Sequence, residues 1–472
     1  MLQISKLLDR VITRVNINLR EPVFDVGPWV EQLVPLEKFF ENHSFYGISH
    51  LHPVDFYFSR SALAGSYFLG NCSVERSLLF YTDVRGDELK NAGDAFSYHG
   101  LFLMLDEDER IKIQDSLLVK TLVHNNSHDP ESPERFLIAN TVSLPYANIH
   151  GSPVDGCFLG PFSTLDLTSA HHSVIGTFSY VQTGHLAHHR VDPGIVWIKS
   201  SDFEFFYRFD ENALAPFIRM GEWQTPQGLF METMEGLRPD FDEVYKTVKG
   251  APPVRVPSGT ALSRYAVVKG DTELGENVLV AQRAYLDNAI MGDGANAQEN
   301  CCIINSTLMG MNVTAHGATI MGAEMGRRTF TGFNAFLHGR TSCPLTVGAN
   351  CIIMPHTIVE ITEPLEIPPD TLVWGLVENA DDLSKHSIPI ETLMNTEGEL
   401  IKGNLRFTGS GPEFVKCFQE RISHILEENG AYSTGTGKSG HAQKGRHITY
   451  NVLQPYPAGD LQGLCPTIRI TP

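Results

Sequence analysis

Six histidines lie close together in the first half of the chain, and imidazole is the side chain that most often binds metal ions or accepts a proton near neutral pH. They are His150, His171, His172, His185, His188 and His189. The separations from His150 to His171 and from His171 to His188 are each close to one coil of a repeat structure. We therefore expect these side chains to stack on one face, where they either bind a metal or hydrogen-bond to backbone carbonyl groups at corners.

His188 and His316 share a local context that makes them candidates for the same role. Each follows an alanine, at the point where a new repeat unit begins. A general base needs only one imidazole within hydrogen-bond reach of the group that it deprotonates, whereas a metal needs several ligands. The sequence thus makes His188 and His316 candidate metal ligands, and either one a candidate general base.

The charge balance excludes several classes of partner. The chain has 36 basic and 55 acidic side chains and a formal net charge of −19, which repels nucleic acids and anionic membrane surfaces. It contains no apolar stretch long enough for a membrane span, and its first residues lack the compact apolar core of a signal peptide. We expect a cytoplasmic protein that acts on a small molecule, with no nucleic-acid or membrane partner.

A six-residue repeat indicates the elements that position these histidines. In the second half of the chain, the residues that begin successive units are Leu274, Val280, Leu286, Met291, Ala297, Ile303, Met309, Ala315 and Met321. Each unit supplies one short strand, the leading side chain points into a triangular coil, and a following glycine or small residue permits the corner. A less regular set, at Leu159, Leu165 and His171 and again at Ile175, Val181 and Ala187, precedes it.

This periodicity predicts a mainly β fold, a left-handed parallel β-helix of hexapeptide repeats with accessory helices at the N-terminus, in the middle and at the C-terminus. We divide the chain into five segments: an N-terminal helical cap (1–45), a first irregular β-helix array (46–200), a helical insertion with a proline-rich connector (201–258), a second regular array (259–377), and a C-terminal helix with an extended tail (378–472).

Two stretches of the second array, RAYLDNAIMGDGANAQENCCIIN (283–305) and MNVTAHGATIMGAEMGRRTFTGFNAFLHG (311–339), resemble the γ-class carbonic anhydrase family within the hexapeptide-repeat transferase superfamily. The resemblance extends over about residues 260–377. It implies a homotrimer in which three histidines hold zinc between subunits, with a nearby arginine and glutamine. Arg283, Gln298 and His316 match that arginine, that glutamine and one of the histidines, while the other two histidine positions fall at about Ile304 and Met321.

One histidine does not hold a catalytic zinc ion, which needs three protein ligands and an open position. The resemblance therefore implies the fold and the trimer, but not ordinary carbonic anhydrase activity at this position. Other members of the superfamily are acyltransferases in which a histidine acts as general base on an acceptor beside an acyl thioester. His316, with Arg283 and Gln298, is the candidate catalytic group that this implies.

Three functions remain open from the sequence. The first is acyl transfer to a small molecule at a subunit interface, with acyl-CoA as donor. The second is a carbonic-anhydrase-like enzyme with relocated ligands for a divalent metal such as zinc, and the third is a non-catalytic trimeric scaffold within a larger assembly. Fold alone does not decide among them.

Overall fold

A computed structural model describes residues 2–31, 33–49, 51–52, 55–98, 100–246, 252–435, 439–465 and 467–471. Residues 247–251, where the expected proline-rich connector begins, lie outside this set. The chain forms two compact units. Unit 1 comprises residues 1–197, 215–228 and 448–472, and unit 2 comprises residues 198–214 and 229–447.

The N-terminal helices are α1 (Leu2–Asn18), α2 (Gly27–Val30) and α3 (Lys38–Glu41). The buried face of α1 includes Ile4, Val11 and Val15, each fully buried. These side chains belong to a cluster with outward-facing residues of five strands that follow, from Leu78 to Val174. The helix therefore runs along the side of the coil in unit 1 and does not close one of its ends, because that side of the coil is itself apolar.

The first array consists of short strands that recur along the coil. They are β1 (Ser44–Ile48), β2 (Phe56–Ser59), β3 (Tyr67–Leu69), β4 (Cys72–Glu75), β5 (Leu78–Phe80), β6 (Asp83–Arg85), β7 (Ala95–Tyr98), β8 (Leu101–Met104), β9 (Arg110–Gln114), β10 (Leu117–Val119), β11 (Leu122–His124), β12 (Arg135–Ala139), β13 (Val142–Ser143), β14 (Asn148–His150), β15 (Val154–Asp155), β16 (Phe158–Leu159), β17 (Thr164–Asp166), β18 (Thr168–His171), β19 (Val174–Ile175), β20 (Tyr180–Gln182), β21 (Gly184–Ala187), β22 (Arg190–Val191) and β23 (Ile195–Lys199).

Three parallel sheets form the sides of this coil, and their strand orders include β3-β6-β11-β14-β17-β20, β5-β10-β13-β16-β19-β22 and β2-β4-β9-β12-β15-β18-β21. Ile149 pairs with Leu165, and Leu165 with Val181, so that a regular coil spans sixteen residues. The buried residues Leu165, Ala170 and Ile175 therefore follow steps of five in addition to the expected steps of six. His171 and Ala187, which the strict six-residue beat placed inside, are consequently displaced by one position and face outward.

An insertion between β6 and β9 carries the hairpin of β7 and β8. At its base the fully buried carboxyl group of Glu109 accepts hydrogen bonds from the backbone N–H groups of Lys90, at 3.1 Å, and of Ser127. Burial raises the pKa of Glu109 to about 7, although these hydrogen bonds and Lys90 oppose the shift. The insertion is thus anchored through a carboxyl group that titrates near neutral pH.

The pKa of Glu109 predicts how stability depends on pH. A carboxyl group whose pKa is raised by folding stabilises the protein fully below its unfolded-state value, and this contribution is lost as the pH rises through about 7. We expect the free energy of unfolding to fall by up to about 3 kcal/mol between pH 5 and 8 relative to Glu109→Gln. Denaturant titrations of both proteins across this range measure the difference, and parallel pH profiles would show that Glu109 does not titrate there.

The segment after the first array contains β24 (Phe203–Arg208), α4 (Glu211–Leu214), β25 (Arg219–Met220), a 3₁₀ turn (Glu222–Gln224), β26 (Pro226–Gln227) and α5 (Leu229–Lys246). In unit 2, α5 packs on the outside of the coil, where its residues Met234, Leu237 and Phe241 cover Tyr285 and Cys302. The expected external helix is therefore present, but the aromatic run FEFFYR forms the strand β24, since its alternate side chains are buried.

The second array is regular. Its strands are β27 (Ala261–Leu262), β28 (Val267–Lys269), β29 (Glu273–Leu274), β30 (Leu279–Val280), β31 (Tyr285–Asp287), β32 (Ile290–Met291), β33 (Asn296–Ala297), β34 (Cys302–Ile304), β35 (Thr307–Leu308), β36 (Val313–Thr314), β37 (Thr319–Met321), β38 (Ala323–Met325), β39 (Phe330–Thr331), β40 (Phe336–His338), β41 (Leu345–Val347), β42 (Ile352–Ile353), β43 (Ile358–Glu360), β44 (Leu365–Ile367), β45 (Thr371–Val373) and β46 (Leu376–Val377). They stack in three parallel sheets.

The register of this array corrects the sequence analysis at three positions. Met291 pairs with Leu308, and Leu308 with Met325, so each of these coils has seventeen residues and one five-residue step. Leu308 is fully buried, whereas Met309, assigned to the interior by a strict six-residue beat, is 47% exposed. The next interior positions are Thr314 and Ile320 instead of Ala315 and Met321. The reason is that the step from Ile303 to Leu308 spans five residues, so every interior position after it lies one residue earlier than a six-residue spacing predicts, until the next five-residue step at Met325.

The chain ends with α6 (Ala380–Lys385), β47 (Ser387–Pro389), α7 (Ile390–Met394), β48 (Glu397–Lys402), β49 (Leu405–Ser410), α8 (Gly411–Glu428), α9 (His441–Lys444), a 3₁₀ turn (Gly445–His447), β50 (Thr449–Leu453) and β51 (Ile468–Ile470). The last two strands pair antiparallel with β1 and β2 in unit 1, so the segment that composition indicated as an extended tail adds one strand to each of two sheets. Among the described helices, none is long and apolar enough to cross a membrane.

Candidate functional site

One sheet of unit 1 carries a row of polar side chains on its outer face. Arg85, His124, His150 and Asp166 are register neighbours on β6, β11, β14 and β17, and we call these four residues the polar row. The residues that alternate with them point into the coil, as strand geometry requires. Although the side chains of the polar row face outward, Asp166 is fully buried and His124 is only 5% exposed.

His150 and Asp166 form a histidine–carboxylate pair within this row. Nδ1 of His150 lies 2.7 Å from Oδ1 of Asp166, and the His150 side chain is 12% exposed. The hydroxyl group of Tyr180 donates to the other carboxylate oxygen of Asp166 and lies 2.9 Å from Oε1 of Gln182. Asp166 is therefore held by a second group, and it in turn fixes the orientation of an imidazole that retains access to solvent.

His124 lies beside this pair, with its ring centroid 5.3 Å from that of His150. Its Nε2 atom is 3.6 Å from Oδ1 of Asp87 and 3.7 Å from Oε1 of Glu88. Burial lowers the pKa of His124 to about 3, and the positive charge of Arg85 contributes, against the opposing effect of the two carboxylates. His124 is consequently neutral at physiological pH and can accept or donate a hydrogen bond but carries no charge.

The remaining histidines of the first array form neighbouring pairs at the surface of unit 1. The ring centroids of His171 and His185 are 5.7 Å apart, and those of His172 and His188 are 5.0 Å apart. His188 is half exposed and pairs with Glu21 at 2.8 Å. Among the described residues, none of these four belongs to a group of three or more side chains spaced to hold a metal ion. The structure therefore brings these four histidines together as two pairs, but His150 lies on another sheet, so the expectation of a single shared face was wrong. It gives no support for His188 as a metal ligand.

The candidate base of the second array occupies a corner of the coil in unit 2. The backbone N–H of Gly317 donates to the carbonyl of Glu299, and that of Asn334 to the carbonyl of His316, so Glu299 and His316 stack in successive coils. Nδ1 of His316 lies 2.9 Å from Oε2 of Glu299, and neither side chain is more than 2% exposed. The ring of Phe333 follows at 5.3 Å. This is a second histidine–carboxylate pair, more deeply buried than that of His150.

Arg283 and Gln298 lie in the same part of unit 2. Arg283 donates through Nε to the hydroxyl oxygen of Tyr245 at 2.6 Å and stacks over that ring, so the helix α5 holds its guanidinium group. Gln298 directly precedes Glu299 and is partly exposed. The glutamate beside Gln298 is the group that contacts His316.

The two further positions at which the resemblance places zinc ligands are apolar. Ile304 and Met321 are register neighbours on β34 and β37 and are partly exposed. The next register neighbour of Met321 is His338 on β40. Nδ1 of His338 lies 2.7 Å from Oε2 of Glu360, and Arg340 contacts the other carboxylate oxygen of Glu360. The second array thus lacks the ligand set of the carbonic anhydrase family at these positions.

The sequence marks His150 only as one of six clustered histidines, and its repeat pattern does not single out His124 or Asp166. The signal was present in the coil length, because His150 and Asp166 are sixteen residues apart and must be neighbours in successive coils. His124 could not be aligned in this way, since the loop from 125 to 134 separates it from His150. Its position next to His150 depends on tertiary structure.

Comparisons with known proteins agree with this fold. A family model described as a hexapeptide repeat including a loop matches residues 101–222, which contain His124, His150 and Asp166. The crystal structure of a candidate acetyltransferase from Desulfovibrio desulfuricans G20 is 50% identical, covers 100% of this chain and 99% of that chain, and has a TM-score of 0.94.

Two more distant structures also match. A candidate acetyltransferase from Bacillus cereus is 15% identical over 35% of this chain and 87% of that chain, with a TM-score of 0.22. A hexapeptide transferase family protein from Anaplasma phagocytophilum is 12% identical over 36% of this chain and 89% of that chain, with a TM-score of 0.24. These two superpose too poorly to support an argument. No protein of curated function matches the chain.

Proposed function

Because the chain belongs to the hexapeptide-repeat superfamily, we propose that it is an enzyme that transfers an acyl group from an acyl thioester, such as an acyl-CoA, to a hydroxyl or amine group of a small molecule. The observation that carries this proposal is the 2.7 Å contact between His150 and the buried carboxylate of Asp166. The similarity to the candidate acetyltransferase over the whole chain supports it further.

The proposal gives a role to each group of the pair. Asp166 accepts a hydrogen bond from the Nδ1–H group of His150, which keeps the proton on Nδ1 and leaves Nε2 as an acceptor. When Nε2 takes the proton of the acceptor hydroxyl or amine, the acceptor oxygen or nitrogen attacks the thioester carbonyl carbon. The carbon–sulfur bond then breaks, and the imidazolium returns its proton to the departing thiolate. Acyl thioester and acceptor are thereby converted to an ester or amide and a free thiol.

Incubation of the purified full chain with acetyl-CoA and a panel of small amines and alcohols tests the proposal. We expect mass spectrometry to detect an acetylated acceptor together with free CoA, both dependent on the protein. Propionyl-CoA and succinyl-CoA extend the test to other acyl groups. If the protein neither binds nor consumes any of these donors, as judged by calorimetry and product analysis, acyl transfer is refuted and the scaffold function is favoured.

Replacing Asp166 by asparagine should separate its positioning role from substrate binding. Asparagine nearly preserves the shape but can present its amide to Nδ1, so the tautomer that leaves Nε2 unprotonated is no longer selected. We expect kcat to fall roughly tenfold or more while KM for the donor stays within about twofold. Asp155→Asn, which changes an aspartate bound to Asn140 at 2.9 Å, is the matched control. An equal loss in both variants would mean that Asp166 is merely structural.

A metal enzyme with relocated ligands is the second candidate function, and one observation favours it. A ligand nitrogen of His124 and one of His150 lie within 4.8 Å of each other, and each imidazole has a carboxylate behind it, as metal-binding histidines commonly do. Within unit 1 these are two ligands, one short of the usual catalytic zinc set. Elemental analysis decides: a stoichiometric transition metal that is lost in His124→Ala would favour this candidate over acyl transfer.

A further inference from the structure

The hairpin of β7 and β8, which we call the apolar arm, exposes five large apolar side chains. Tyr98 is 43% exposed, Leu101 73%, Phe102 77%, Leu103 48% and Met104 59%. They fall within seven residues, whereas the other exposed large apolar residues of the described chain are scattered. Such a concentration at the surface of a soluble protein marks a binding surface.

Both faces of the arm are apolar. Register pairs place Phe96 opposite Leu103 and Tyr98 opposite Leu101 on one face, while Phe102 and Met104 point to the other. Only Phe96 is buried, and Lys90 covers its ring at 5.3 Å. Within the described residues, β7 and β8 pair with no strand besides each other. An isolated two-stranded hairpin is marginally stable in water, so the arm gains stability when a partner covers it.

The apolar side chains of β8 can contact those of a second arm. When two β8 strands pair edge to edge, the side chains of one strand lie beside those of the other on each face of the joined sheet. Part of the exposed apolar surface from Leu101 to Met104 is covered in this way. The outer edge of β8 also offers unpaired backbone groups that a second strand can bind.

The distribution of charge fixes the direction of such pairing. Residues 95–105 include no acidic or basic side chain except the imidazole of His99, whereas the base of the arm carries the exposed residues Asp94, Asp106, Glu107 and Asp108. Parallel pairing would bring two acidic bases together. Antiparallel pairing of β8 with β8 places each acidic base beside the uncharged tip of the other arm, so it avoids this repulsion.

We propose that the apolar arm is a self-association surface that pairs antiparallel, through β8, with the same arm of a second copy of this chain. Two β7–β8 hairpins then form one four-stranded sheet around a twofold axis. The contact does not depend on the catalytic proposal, because the polar row and the Glu299–His316 pair include no residue of the arm.

Sedimentation velocity of the full chain tests this contact. We expect the double variant Phe102→Asp/Met104→Asp to have half the mass of the wild type, because the carboxylates of the two adjacent β8 strands repel each other. Val23→Asp, which introduces the same charge at a residue that is 82% exposed and outside the arm, should keep the wild-type mass. Circular dichroism verifies that both variants are folded.

Amide hydrogen exchange of the wild type, measured at several protein concentrations, tests the same contact without any substitution. Amides of residues 95–105 should lose protection on dilution, while those of the coil strands should not. Equal mass for the wild type and the arm variant, together with concentration-independent exchange in the arm, would overturn the proposal. So would a wild type that stays at the mass of the variant but cosediments with phosphatidylcholine vesicles, since the arm would then bind a lipid surface.

Discussion

Replacing His150 by alanine is expected to lower the turnover of acyl transfer by roughly a hundredfold or more, the loss typical of a positioned general base. In the proposed mechanism Nε2 of His150 is the proton acceptor, whereas Asp166 and Tyr180 only orient the imidazole. Folding should not change, because His150 lies on the outer face of β14 and retains some exposure. Steady-state measurement of free CoA and a thermal unfolding curve check both statements.

His338→Ala is the matched control for this variant. His338 also forms a 2.7 Å contact with a carboxylate on the outer face of a coil strand, but it lies in unit 2, outside the polar row. Its loss should leave turnover within about twofold of the wild type. If His338→Ala impaired turnover as severely as His150→Ala, the polar row would not be the site of the proton transfer.

Leu308→Asp is expected to destabilise the protein severely, by several kcal/mol, whereas Met309→Asp should be nearly neutral. Leu308 is fully buried inside the coil of unit 2, where a carboxylate has neither water nor a partner, while Met309 is 47% exposed. The two substitutions are adjacent and introduce the same charge, so each controls for the other. Chemical denaturation of both variants and the wild type measures the difference.

The outcome also tests the coil length of unit 2 directly. A strict six-residue beat places Met309 inside and predicts the opposite ranking of the two variants. Greater loss of stability in Met309→Asp than in Leu308→Asp would therefore contradict the register in which Met291, Leu308 and Met325 are neighbours.

The sequence was sufficient to predict the β-helix because the six-residue pattern is local and is repeated many times along the chain. Leu274, Val280 and Leu286 are each buried as the six-residue spacing predicted. The spacing could not locate the shortened corner after Ile303, since Leu308 and Met309 are both apolar and either can begin a strand. Only stacking against Met291 distinguishes them. A one-residue error in register is thus invisible to a pattern in which neighbouring residues have the same character.

The candidate site was less accessible to sequence reasoning. His316 was selected through a family resemblance, whereas its contact with Glu299, the residue after Gln298, is visible only in the structure. The partner of His150 lies one coil further along the chain and becomes visible only when the coil length of unit 1 is known. His124 joins it across an irregular loop, so no fixed spacing reports that contact. When a site is formed by residues of successive coils, the spacing of these residues along the sequence equals the coil length. Insertions at the corners change that length, so the spacing cannot be predicted from a fixed repeat.

The most direct measurement is the initial rate of CoA release by the wild type, His150→Ala and His316→Ala, with the acceptor that product analysis identifies. His316 remains the alternative base, in its buried pair with Glu299. We predict that acceptor-dependent release is lost in His150→Ala and largely retained in His316→Ala, because His150 is the more exposed of the two imidazoles. Wild-type turnover in His150→Ala, or release that occurs at the same rate without any acceptor, would contradict the assignment of His150 as the general base of acyl transfer.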